Sequence, residues 1–111
     1  MKLKSFIQRG RRGWSDEDIW NFNWYLIFVI SPALRRLAEK ANGHPVELTE
    51  TEWKEILNKI ADGLEAPSKE EEKYLNEAVD LNKQMILDKK AYKRQDEALK
   101  LLAKYFPDLW D

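Results

Sequence analysis

The chain has no cysteine, which excludes disulfides, thiolate metal sites and cysteine nucleophiles. Its one histidine, His44, excludes a multi-histidine metal cluster within a single chain. Glycine and proline are scarce, with four of each in 111 residues. Together with 43% hydrophobic and 35% charged positions, that scarcity argues against wholesale disorder and for one domain spanning 1–111. A long apolar run is also missing. The stretch Ile19 to Ile30 is interrupted by Asn21 and Asn23 and preceded by Asp16, Glu17 and Asp18, whereas a bilayer span needs about 20 apolar residues. No apolar segment of signal-peptide length follows the first basic residues, so the expected setting is soluble and cytoplasmic, without a membrane partner.

What is present is unevenly distributed. The net charge is only −1, but residues 1–14 carry Lys2, Lys4, Arg9, Arg11 and Arg12 with no acid. The remaining 97 residues hold 14 bases against 20 acids, a net of −6. A basic arm on an acidic body is suited to an anion or to the body of a neighbouring subunit. With two glycines among its arginines, segment 1–14 is expected to be an extended arm, and 15–111 the helical body.

The helical signals are strong. Ser15 with Asp18 forms a potential capping box at the start of a first helix, and Asp16 and Glu17 suit its positive end. That helix is apolar on nearly every face from Ile19 to Ile30, which places it at the centre of the fold. Pro32 is expected to kink it and Gly43 to end it. A second capping box, Thr49 with Glu52, opens a helix whose apolar positions are Trp53, Ile56, Leu57, Ile60 and Leu64. Gly63 and Ala66-Pro67 are expected to end it. A third helix is expected from Ser68, with Glu71 at the capping-box position and a stripe of Tyr74, Ala78, Leu81, Met85 and Tyr92, flanked by Leu75, Val79 and Ile86. Unbroken to Phe106 it would run about 55 Å, so it either breaks in the polar stretch 88–97 or projects towards another chain. The expected architecture is all-α, with three to four helices.

The candidate ligand-binding residues are Arg9, Arg11, Arg12 and Trp14. Guanidinium forks bind phosphate bidentately, glycines let the backbone approach it, and an indole can stack on a base. The same arginines can instead pair with acids of this chain or of a neighbour. Five tryptophans (Trp14, Trp20, Trp24, Trp53 and Trp110) are expected mainly in the core, although a surplus of aromatics on an all-round apolar helix also favours a subunit interface. Asp16, Glu17 and Asp18, with Glu47, Asp62 or Glu65, are acids that could ligate magnesium, but first-turn acids are ordinary capping. His44, between Gly43 and Pro45, is expected to bond nearby backbone in a turn. No nucleophile motif accompanies it, and no catalytic residue, resident metal or cofactor is expected.

The strings RRGWSDEDIWNFNWYL, GHP, LTETEWKEIL, IADGLE and KYFPDLWD resemble a family of small bacteriophage and prophage proteins. The resemblance covers nearly the whole chain, and Gly-Trp-Ser-Asp-Glu-Asp is its most specific block. It implies a phage-encoded protein of the host cytoplasm and transfers no activity. The expectation is an oligomeric accessory protein that acts by binding, in counter-defence or host takeover. The alternatives are a sponge-like binder of a nucleotide or short nucleic acid through the N-terminal arginines and a metal-dependent hydrolase. Expected partners are further copies of the chain, a host protein or an anionic nucleotide-like ligand.

Overall fold

The computed structural model describes residues 2–76 and 80–110. Among the described residues the chain is helical and has no strand. The helices are α1 (Leu3–Arg12), α2 (Phe22–Lys40), α3 (Glu50–Asn76) and α4 (Leu81–Tyr105), with short 3-10 turns at Asp16–Ile19 and Phe106–Asp108.

The extended arm is corrected to a helix. Leu3, Phe6 and Ile7 share one face of α1, and Ser5, Arg9 and Arg12 lie on the opposite one. Gly13 ends the helix in the left-handed conformation, φ 87°, and donates its N–H to the Arg9 carbonyl at 2.8 Å. Arg9, Arg11 and Arg12 occupy the last turn, where positive charge complements the helix dipole. The glycine expected to loosen the chain therefore caps a helix.

The Ser15–Asp18 capping box forms, but it caps only the four-residue 3-10 turn. Regular helix resumes after Asn21, whose φ of −130° and ψ of 63° are not helical. α2 then runs through Pro32 without interruption. Its buried side is Ser31, Leu34 and Ala38, joined by the partly buried Ile27, Ile30 and Leu37.

Thr49 and Glu52 form the expected reciprocal box at α3. Glu52 N–H donates to Thr49 Oγ1 at 3.1 Å, and Thr49 N–H donates to Glu52 Oε1 at 3.0 Å. The helix does not stop at Gly63 or Pro67 and does not restart at Ser68. Gly63 marks a helix crossing: a Cβ built there would lie 2.6 Å from Ala98 Cβ and 3.0 Å from the Arg94 carbonyl. Around Pro67, whose ring deprives the Gly63 carbonyl of a donor, side chains bond neighbouring carbonyls. Ser68 Oγ donates to Glu65 at 2.8 Å, and Gln95 Nε2 of α4 donates to Leu64 at 3.1 Å. The helix after it begins later than expected, with Asp80 as N-cap accepting from Asn82 N–H at 2.9 Å. α4 continues through 88–97 unbroken. Ala78 and Val79 of the expected stripe lie outside the described residues.

The central helix is α3 and not the apolar α2. Leu57, Ile60 and Ala61 are wholly buried and Trp53 is 1% exposed. Trp53 meets Tyr105 of α4 edge to face at 5.5 Å. α2 packs antiparallel on the other side of α3, where Ser31 Oγ donates to the Ala61 carbonyl at 3.3 Å. Arg35 donates to Asp62 at 2.8 Å and also to Glu65. Burial pushes the Glu65 carboxyl up, but the bonds from Arg35 and Ser31 outweigh it and leave the group below its ordinary range. Three helices side by side make a slab of 45 × 40 × 20 Å with a radius of gyration of 16.5 Å. A compact chain of this length would have about 13 Å.

Ile60→Ala should cost about 2–5 kcal/mol as a cavity in the middle of the slab. Thr49→Ala should cost about 1 kcal/mol as a lost cap. Gly63→Ala separates the two roles of that glycine. Helix propensity alone would favour alanine by roughly 1 kcal/mol, but the methyl collides with Ala98, so melting temperature followed by circular dichroism should fall.

Candidate interaction surface

The N-terminal unit is built around one ion pair. Arg9 Nε donates to Asp18 Oδ2 at 2.8 Å, and its Nη2 donates to Asp18 Oδ1. The same carboxylate accepts the Ser15 N–H at 2.7 Å, so the capping acid is shared between a turn and a helix. The Arg9 guanidinium lies over the rings of Tyr25, 5.1 Å from its centroid, and Phe28, at 5.8 Å. Tyr25 Oη also donates to the Gly13 carbonyl. The Arg9 bonds hold the buried Asp18 carboxyl far below the usual carboxylate range, against the opposing effect of burial and with help from Ser15.

A second layer of bonds lies beside it. Arg12 donates to Asp16 Oδ1 at 2.7 Å and to the Trp14 carbonyl at 2.9 Å, and its guanidinium sits 3.8 Å from the Trp14 ring centroid. Gln8 donates to Asp16 Oδ2 at 2.9 Å and accepts the Asp16 N–H at 2.8 Å. Bonds from Gln8 first and Arg12 second lower the Asp16 carboxyl. Arg9, Arg12 and Trp14 are thus brought together around the chain's own Asp16 and Asp18. Arg11 is exposed and makes no hydrogen bond or ion pair among the described residues.

These bonds consume the polar side of α1 and turn its apolar side outward. Leu3 is 74% exposed and Phe6 67%, with Ile7 beside them. On α2 a second outward stripe, Phe22, Leu26 and Val29, recurs at spacings of four and three. Trp20, 88% exposed, stands at the junction and lines a groove of about 500 Å³ with Arg9, Trp24, Tyr25 and Phe28. The five tryptophans are therefore mostly not core: Trp53 is buried and Trp24 half-buried, whereas Trp14, Trp20 and Trp110 are exposed. The spacing of Leu3, Phe6 and Ile7 was the available signal for this surface, and the two glycines among the arginines obscured it.

Other sequence candidates take ordinary places. His44 Nδ1 lies 2.9 Å from the Pro45 carbonyl, the backbone contact expected for a turn residue. Among the described residues no three acidic or histidine side chains converge as a metal set. No helix among them is long and apolar enough to cross a membrane. No protein family, curated protein or solved structure matches the chain.

The clamp carries a pH signature. A carboxyl whose folded pKa is depressed contributes stability that is complete above the unfolded value, about 4 for Asp, and is lost as pH falls through the folded value. In paired thermal melts wild type should exceed Asp18→Asn by a constant margin from pH 7 to about 5, and the margin should shrink below pH 4. A margin unchanged down to pH 2 would mean that the Asp18 charge does not hold α1.

Proposed function

We propose that this chain is a small accessory protein of a bacteriophage, acting in the host cytoplasm by binding protein, assembled from more than one copy, in counter-defence or host takeover. The phage assignment rests on the sequence resemblance. The binding mode rests on one observation: α1 is an amphipathic helix whose polar side faces its own chain and whose apolar side faces out.

Surface area gives this observation a scale. A compact monomer of 13.2 kDa exposes about 6,400 Å², whereas this chain exposes 8305 Å². The excess is well above the roughly 800 Å² per partner of a standard interface and falls in the range of obligate dimers. Exposed aromatic and aliphatic side chains such as Phe6, Trp20, Phe28 and Leu26 are the residue types that concentrate in interface cores. Catalysis has no comparable support. Asp16 and Asp18, the acids nearest the basic helix, are engaged by Arg12 and Arg9. A nucleotide sponge would have Arg11 as its open guanidinium, with Arg9 and Arg12 already paired.

Light scattering coupled to gel filtration at tens of micromolar should give a dimer or larger. The double substitution Phe6→Glu and Leu26→Glu should yield a monomer with unchanged helical circular dichroism, since neither side chain belongs to the buried core. A wild-type monomer would overturn the oligomeric reading. Saturable nucleotide uptake that is lost in Arg11→Ala, with oligomer size unchanged, would favour the sponge instead.

A further inference from the structure

A second groove lies at the other end of the α3–α4 pair, with a volume of about 430 Å³. Its walls are the exposed side chains Tyr74, Leu81, Met85 and Tyr92, and its charged groups are Glu71 and Asp88. No lysine or arginine lines it, and neither carboxylate has an ion pair among the described residues. The larger groove between the same helices differs on this point, because Lys59 and Arg94 line it together with Glu55, Asp62 and Glu97. The groove lined by Tyr74 and Met85 is thus both apolar and acidic, with Gln84 Nε2 donating to Asp88 Oδ1 at 2.9 Å and Glu71 left without an ion pair.

α1 has the complementary surface. Leu3, Phe6 and Ile7 project from the chain, Gly10 has open space around it, and Arg11 follows at the helix end without a partner. Within the chain, α1 packs against the 3-10 turn and the start of α2, far in sequence from the groove. An amphipathic helix with apolar anchors at i, i+3 and i+4 is the form that docks in such a groove, with charges at the rim setting orientation. The outward stripe of α2, by contrast, offers no acid to Arg11.

We propose that α1 of one copy docks in the α3–α4 groove of a second copy, with Arg11 directed at Glu71 and Asp88 of that copy. This rests on the homo-oligomeric reading above. When the exchange is mutual it closes a two-fold dimer; when it is not, it runs head to tail.

The test uses charge reversal on the full chain, read by sedimentation velocity and checked by circular dichroism. Arg11→Glu alone and Glu71→Lys alone should each weaken self-association by about tenfold or more. An equimolar mixture of the two variants should recover wild-type association, because each α1 then faces a groove whose charge at position 71 is opposite to its own at position 11. Phe6→Ala should weaken association without a charge change. If wild type associates but Arg11→Glu and Glu71→Lys leave it unchanged, or if mixing fails to rescue, the groove does not receive α1 and the α2 stripe is the interface. If wild type is a monomer at all concentrations, the oligomeric reading has failed first. A host protein whose binding is abolished by Glu71→Lys in a wild-type monomer would assign the groove to a different occupant and overturn the proposal.

Discussion

The bond between Arg9 and Asp18 decides which side of α1 meets water. Rotating the helix to bury Leu3, Phe6 and Ile7 would recover roughly 1.5–3 kcal/mol for each side chain fully covered. It would also withdraw Arg9 from Asp18, leave a buried carboxylate with only its Ser15 bonds, and break the network through Gln8, Arg12 and Asp16. An acid left without its partner in such a place is costly, because its desolvation is no longer compensated. The chain therefore folds with its charges satisfied and its apolar helix face exposed. That leaves a hydrophobic gain that only a second surface can supply.

The slab geometry has a parallel consequence. α3 is covered on both sides, by α2 and by α4, and the most deeply buried apolar residues, Trp53, Leu57, Ile60, Ala61 and Leu64, sit on it. α2 and α4 are each covered on one side only. The outer positions of α4 mix charged side chains with the exposed Leu81, Met85, Ile86, Tyr92 and Leu99. α2 has apolar residues on both sides, Ile27, Ile30 and Leu34 inward and Phe22, Leu26 and Val29 outward. A helix that is apolar all round normally has neighbours all round. Here it has one flank on α3, and part of the other lies beneath the Arg9 guanidinium at Tyr25 and Phe28. The excess surface follows from this arrangement and from the outward face of α1.

Helix type and the strongest boundary were legible in the sequence because they depend on nearby residues. The Thr49–Glu52 box spans four residues, and the Trp53, Leu57, Ile60, Leu64 stripe needs only helical periodicity; both stand in the structure. Glycine and proline misled because their meaning is set by what lies across from them. Gly63 resembled a terminator until Ala98 and Arg94, more than thirty residues away, were seen to press on it. Pro67 resembled an end until Gln95 of α4 was seen to bond the adjacent turn. The centre of the fold was misplaced for a related reason. Apolar content measures how much surface wants cover, and it does not say whether the chain itself provides the cover.

The candidate site was legible in its residues and not in their arrangement. Sequence alone marks the arginines as a basic cluster, because the acids that answer them, Asp16 and Asp18, fall on the other side of the Gly13 turn. Once the chain reverses there, two of the three guanidinium groups are neutralised within ten residues of their own positions. The net charge of segment 1–14 thus overstates its field, and long-range attraction for a polyanion is weakened accordingly. What survives outward is Lys4 and Arg11, seven residues apart on one edge of the apolar stripe, with neither in an ion pair among the described residues. Such a surface draws most of its affinity from burial and uses its few charges for register. Those are the demands of a protein interface more than of a phosphate site.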